Sequence, residues 1–237
     1  MDQPNKKFIS GKFIKRYKRF FVDVQLDNNK EVVTAHCPNT GSMLGLLKEG
    51  NKVKLTEVDD PNRKLKYTLE IIRSNGANVG VNTHRANRIV EEALISNKIK
   101  GLKKILELKR EVKYGENSRI DFLINNNIGE QIYIEVKNVT LSLKKGVAEF
   151  PDAITERGSK HLQELQKIKN KKTRAVMLFL IQRDDCKYFQ IAKDIDEKYN
   201  SNLKKAIKSG VEILCYSCTF DSNKIKIDKK IKFKENE

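Results

Sequence analysis

The chain has 237 residues, 33% charged and 38% hydrophobic, with 48 Lys and Arg against 31 Asp and Glu and a formal net charge of +17 at pH 7. Those values exclude a disordered or fibrous chain and describe a folded globular protein, large enough for one big core or two small ones. The positive excess attracts polyanions, nucleic acid first among them, although a coding bias toward Lys, Asn and Ile would give the same excess. No run of about 18 apolar residues is present to cross a membrane. Residues 1–19 are basic without an apolar signal core, and four cysteines do not make a disulfide framework. A cytoplasmic protein with no membrane partner is expected.

In chain order, the first part reads as short strands. Phe13-Ile14, Phe20 to Leu26, Glu31 to His36, Val53 to Val58 and Lys66 to Ile72 are β-type runs, with a turn at Asp27-Asn28-Asn29-Lys30. About five short strands predict an oligonucleotide-binding (OB-like) β-barrel over residues 1–80. Lys12, Lys15, Arg16, Lys18 and Arg19 interleave with Phe13, Tyr17, Phe20 and Phe21. Cations among stackable rings suit single-strand binding; Phe20 and Phe21 would equally suit a core. In the loop His36 to Gly41, Asn39 and Thr40 could contact phosphate, or Asn and Gly could serve a tight turn. Adjacent His36 and Cys37 do not suit one tetrahedral zinc site.

The second part, residues 81–237, alternates helix and strand. Arg85 to Leu94 places Ala86, Ile89, Val90, Ala93 and Leu94 at helical spacing. Val112 to Tyr114, Ile120 to Ile124 and Ile132 to Val139 read as strands. Thr155 to Lys169 reads as a helix with Leu162, Leu165 and Ile168 on one stripe. The unbroken apolar run Ala175 to Ile181 predicts a strand buried on both faces. A helix from about Asp194 to Lys208 stops at Gly210, and Val211 to Phe220 is a last long strand. Lys224 to Lys234 reads as a frayed basic tail or an edge strand. The fold class is therefore mixed α and β: the barrel, then an α/β domain with a mixed central sheet. Cys215 and Cys218 have C-x-x-C spacing inside a strand, which argues against metal or redox use.

The candidate chemistry lies in two strands. Side chains alternate along a strand, so Ile120, Phe122 and Ile124 should share one face and Asp121 the other. Glu135 and Lys137 should oppose Ile132, Ile134 and Val136. A hairpin centred near Ile128 puts Asp121 across from Glu135. Two carboxylates can hold Mg²⁺ or Mn²⁺ against a phosphodiester, and Lys137 can orient a water or stabilise developing charge. Asp, then Glu-x-Lys on the next strand, is the signature of the PD-(D/E)xK nuclease-like fold. The plainer alternative is a salt bridge on a solvated sheet face. Glu92 is a candidate third metal ligand, as are Glu91 and Glu111, although Glu92 also pairs with Arg88 at i, i+4. Arg157 and Lys160, at the start of the following helix beside His161, could hold a phosphate, as could that helix N-terminus, or could form a solvated basic face. The reading is a metal-dependent nuclease acting on DNA; RNA stays open as the polymer.

Several segments carry a resemblance: Arg16 to Phe20, His36 to Met43, Val81-Asn82-Thr83, Asn87-Arg88, Glu111 to Gly115, Ser118 to Phe122, Tyr133 to Leu141, and Phe150 to Leu162. In this order, along nearly the whole chain, the sequence resembles the sugar fermentation stimulation protein A family. The resemblance implies an N-terminal OB barrel joined to a PD-(D/E)xK nuclease-like domain, and DNA binding. It also implies a role in regulating sugar (maltose) metabolism, so a non-catalytic DNA-binding regulator is the alternative. It carries a metal site onto Asp121 and Glu135, with Lys137 as the catalytic lysine.

Overall fold

The computed structural model describes residues 7–114, 118–170 and 172–235. Residues 1–6 of the basic N-terminal stretch and Gly115 of the Glu111 to Gly115 segment lie outside the described residues. The first five strands are β1 (Ile9–Tyr17), β2 (Phe21–Leu26), β3 (Val32–His36), β4 (Lys52–Glu57) and β5 (Tyr67–Ser74). β1 pairs antiparallel with β2 and β4, β2 with β3, and β4 with β5. A parallel contact between β3 and β5, Ala35 with Tyr67 and His36 with Thr68, closes the ring. Alternation decides what lies inside: Val22, Val24 and Leu26 are buried, while Asp23 and Gln25 between them are only partly so. Phe13, Leu55, Leu69 and Ile72 complete the barrel core. The β1–β2 turn holds Lys18 and Arg19 at φ of 45° and 63°, a left-handed backbone that side-chain-bearing residues rarely adopt.

A short strand, β6 (Ala77–Gly80), pairs with β5 and leads into α1 (Arg85–Ile95). Next come β7 (Ile105–Tyr114), β8 (Ser118–Asn126), β9 (Gln131–Val139), β10 (Leu141–Lys144) and β11 (Val147–Phe150). They are followed by α2 (Glu156–Ile168), β12 (Thr173–Ile181), β13 (Tyr188–Ile191), α3 (Glu197–Lys208), β14 (Glu212–Phe220), β15 (Ile225–Lys230) and β16 (Lys232–Phe233). The main sheet runs β15-β14-β12-β9-β8-β7. Its centre, β9, β12 and β14, is parallel, and its outer strands are antiparallel. The apolar run in β12 serves two cores. Val176, Leu178 and Leu180 pack toward α1 with Ile89, Phe122 and Ile134. Ala175, Met177, Phe179 and Ile181 pack toward α2 and α3 with Leu162, Leu165 and Leu203. This is the mixed central sheet with helices on its faces that the sequence predicts.

Capping explains where the helices begin. Thr155 Oγ1 accepts the Gly158 N–H at 3.0 Å and Asp196 Oδ1 accepts the Tyr199 N–H at 2.8 Å. The last helix therefore begins at Glu197, three residues later than the periodicity suggests. The strand expected from Val112 starts seven residues earlier, at Ile105. The basic run after Lys224 forms the edge strand β15 rather than a frayed tail. A second sheet, β10-β11-β13-β16, is not evident in the sequence because its strands have two to four residues.

Barrel and sheet meet through a polar seam. Glu70 on β5, 1% exposed, accepts from Thr56 Oγ1 (2.7 Å), Asn82 Nδ2 (3.0 Å) and both Nε (2.5 Å) and Nη2 (2.9 Å) of Arg85. Gly80 N–H donates to Gln182 O at 2.9 Å, and Asn78 donates twice to the Asp184 carboxylate. On the same seam, Asp152 accepts the Met43 N–H at 3.1 Å and its carbonyl accepts Ser42 Oγ at 2.7 Å. A Cβ on Gly41 would lie 2.4 Å from Asp152 Oδ2, so any side chain there must displace the Asp152 carboxylate. Among the described residues no helix is long and apolar enough to cross a membrane.

Candidate active site

The β8–β9 hairpin has the expected register: Phe122 faces Ile134, Leu123 faces Tyr133 and Ile124 faces Ile132. Beyond that point the ladder stops and a side chain takes over. Asp121 Oδ2 accepts the Val136 N–H at 2.7 Å, and Asn87 Nδ2 on α1 donates to Asp121 Oδ1 at 2.7 Å. One expected neighbour moves. Ile120 packs in the core under α2, not with Phe122 and Ile124 under α1. The β7–β8 register is kept across this point, from Arg110–Phe122 to Val112–Ile120, while Glu111 between them sits at φ 51°.

Glu135, 3% exposed, points at α2. Its Oε1 is held by Lys137 Nζ at 2.8 Å and by His161 Nδ1. Arg157 Nε donates to His161 Nε2 at 3.4 Å, which leaves Nδ1 as the protonated nitrogen facing Glu135. Burial alone would raise the Glu135 pKa, but the His161 hydrogen bond and the Lys137 ammonium hold it below the usual value. Asp121 goes the other way. Burial, and then the neighbouring Glu135 charge, push its pKa up to about 6. The two carboxylates open into a cavity of about 440 Å³, shared with Glu111, Ser118, Arg119, Arg157, Lys160 and His161.

A divalent cation fits this arrangement. Among the described residues Glu135 Oε2 is buried without a hydrogen-bond partner, an arrangement that costs free energy unless something positive or donating meets it. The Asp121 carboxylate lies beside it and carries a charge its surroundings disfavour. Among the described residues no three His, Cys, Asp or Glu side chains form a ready metal cage. A two-carboxylate site leaves most positions to water and substrate oxygen, as Mg²⁺ prefers.

The other sequence candidates fall into different places. The structure does not bring Glu92 to the cavity: its carboxylate pairs with Arg88 at 3.2 Å and borders a separate hollow with Lys224 and Ile225. Asn87 faces Asp121, and five residues on at 3.6 per turn is about 140° around the helix. Glu91 shares Asn87's face but pairs with Arg110 at 3.2 Å. Glu111 lines the cavity. Arg157 and Lys160 also line it. Arg16 donates to the carbonyls of Arg19, Gly41 and Asn39. Asn39 is 4% exposed and is committed to Val81 O and the Gly41 N–H. Both therefore shape the 39–42 loop, on which Thr40 is exposed. Lys15 pairs loosely with Asp23 at 3.8 Å, and Lys18 and Arg19 stand at the turn tip. Cys215 and Cys218 are buried in opposite cores, so they share no site, and desolvation pushes both thiols up. Sequence reasoning gave no role to His161 or Asn87. His161 lies at i+4 from Arg157, a spacing that places both on one helical face; Asn87 was marked only as part of the Asn87-Arg88 segment of the resemblance, with no role attached.

A closed five-stranded OB barrel, joined to a mixed-sheet α/β domain with two carboxylates and a lysine at its cleft, defines the class. Residues 14–81 match the "SfsA N-terminal OB domain" and residues 84–224 the "Sugar fermentation stimulation protein RE domain". The chain belongs to the sugar fermentation stimulation protein family. It is 52% identical over 227 residues to a sugar fermentation stimulation protein homolog of Pelagibacter ubique, covering 96% of this chain and 97% of that one. The homolog of Nitrosococcus oceani is 46% identical over 221 residues, covering 92% and 94%. The structure of Pyrococcus furiosus SfsA in complex with Ca²⁺ superposes with a TM-score of 0.86 at 25% identity, covering 99% and 98%.

Proposed function

We propose that the protein is a Mg²⁺- or Mn²⁺-dependent phosphodiesterase acting on DNA. Residues 1–80 grip the polymer, and residues 81–237 carry the site. The observation behind this reading is the buried, unpartnered Glu135 Oε2 beside the Asp121 carboxylate. Asp121 and Glu135 would hold the cation, and Glu111, which lines the same cavity, would be the third carboxylate among the three the sequence offers, Glu91, Glu92 and Glu111. The bound metal supplies Lewis-acid polarisation and a more acidic water. Lys137 fixes Glu135 from one side and presents a positive charge to the phosphate as negative charge develops. Arg157 and Lys160 hold the flanking phosphates, and Lys15, Lys18, Arg19 and Thr40 hold the polymer on the barrel, with Arg16 and Asn39 shaping that loop. The Ca²⁺ complex of the P. furiosus relative supports a divalent site in this fold.

One observation favours a second reading, a non-catalytic DNA-binding regulator of sugar (maltose) metabolism. Lys137 Nζ and His161 Nδ1 already hold Glu135 Oε1 without a metal. The test is cleavage of single-stranded, duplex and branched DNA, and of RNA, by wild type and Asp121→Ala with Mg²⁺, Mn²⁺ or EDTA. Metal-dependent cleavage lost in the variant supports the enzyme. DNA binding without cleavage by either protein supports the regulator.

A further inference from the structure

We propose that a groove at the domain seam, apart from the carboxylate cleft, binds a single-stranded segment of nucleic acid and leads it to that cleft. This names the form of polymer for the reading above and rests on that reading only for what happens at the cleft. The groove holds about 480 Å³ and is bounded by Arg16, Tyr17, Lys18, Arg19, Leu47 and Ala153, with the 40–42 loop between them. Among the described residues its lining has three cations, Arg16, Lys18 and Arg19, and no carboxylate. The nearest acid in sequence to Ala153, Asp152, is occupied by Ser42 and Met43. Such a surface takes phosphates without a metal.

Two further observations select the occupant. Lys18 and Arg19 hold positive φ, a backbone that Asn or Gly adopts at less cost. A turn that only reversed the chain would carry those residues; two long cations there, at a cost in strain, present both charges at the tip. The surface beside them is apolar and open. Tyr17 and Leu47 are each 37% exposed, Phe20 39% and Ile154 77%. Tyr17 is stacked on Phe21 with centroids 5.6 Å apart, and the Lys15 ammonium lies 5.6 Å from the same ring, so aromatic surface and positive charge stand together there, as single-strand binding uses them. A duplex hides its base faces and offers this surface only phosphates, whereas an unpaired strand offers both.

The groove also has a direction. Ala153 lies on its wall, and α2 begins three residues later with Arg157 and Lys160, which line the carboxylate cavity. The Asp152 contacts and the Gly41 close approach fix the barrel loop to that same segment. A strand passing over Ala153 therefore meets the basic face of α2 next.

The test is fluorescence anisotropy in EDTA, where no metal-dependent cleavage intervenes, with a labelled oligothymidylate of about 15 nucleotides and a duplex of equal length. Lys18→Asn/Arg19→Gly removes both cations while suiting the left-handed backbone, so it should melt no lower than wild type. Binding of the single strand should fall about tenfold, and the log–log salt slope should shrink by about 1.4, two contacts at about 0.7 each. Phe20→Ala should weaken it about fivefold or more. A double variant that binds oligothymidylate as wild type does, with an unchanged slope, overturns the groove. Duplex binding reduced as much as single-strand binding overturns the choice of occupant. Wild type that binds the single strand in this way yet cleaves nothing with Mg²⁺ or Mn²⁺ upholds the groove and removes only the nuclease reading.

Discussion

Asp121 has the wrong charge for its surroundings, and that has measurable consequences. Its carboxyl moves from an ordinary 3.8 to about 6 through burial and the Glu135 charge. A group whose pKa rises on folding favours the fold fully below its unfolded pKa and loses that contribution as pH climbs through about 6. Asp121→Asn should therefore be more stable than wild type at pH 8, by up to about 3 kcal/mol, with the gain vanishing near pH 4. Urea denaturation at both pH values reads this directly; an equal effect at both would remove carboxylate repulsion as the cause. His161 makes a second residue-scale prediction. It fixes Glu135 Oε1 from α2 while Arg157 fixes the ring, so His161→Ala should lower Mn²⁺ affinity about 10- to 100-fold. His161→Gln, which can still donate to Glu135, should recover part of it in calorimetric titration.

At the level of elements, the seam is where substitutions should be felt without touching the cleft. Glu70 takes four hydrogen bonds while 1% exposed, and Glu70→Ala leaves all of those donors unmatched. Its cost should be about 3 kcal/mol, read from the denaturation midpoint. Gly41→Ala drives a methyl into Asp152 and should cost about 1–3 kcal/mol. An unchanged midpoint in either variant would mean the seam is looser than its hydrogen bonds imply. Local pattern made some elements readable in the sequence. The β8–β9 register followed from a strong turn and period-two alternation, α2 from its Leu162, Leu165 and Ile168 stripe, and β12 from an unbroken apolar run. What the pattern missed depends on distance. Asn87 reaches Asp121 across 34 positions and His161 reaches Glu135 across 26, and neither spacing has a local signature. Glu92 was attractive by its place in the chain and lost by its angle on the helix. Ile120 was lost where the alternation along β8 breaks, so that it and Phe122 fall in different cores.

For the whole molecule, charge and architecture act together. With 48 basic residues against 31 acidic, affinity for DNA should fall about a thousandfold between 50 and 200 mM salt if six or so phosphates are neutralised. Anisotropy titrations across that range would show it, and a flat response would remove charge as the driving force. The way the barrel ring closes bears also on the order in which the chain is made. Its last join, residues 35–36 with 67–68, is available as soon as the first third of the protein has left the ribosome. The central strand of the sheet, by contrast, has β9 on one side and must wait for residues 212–217 on the other. Domains tend to fold as units in order of synthesis. The nascent chain would thus carry a finished, positively charged barrel well before its cleft exists, and Glu70 would be buried only when Asn82 and Arg85 follow it out of the exit tunnel.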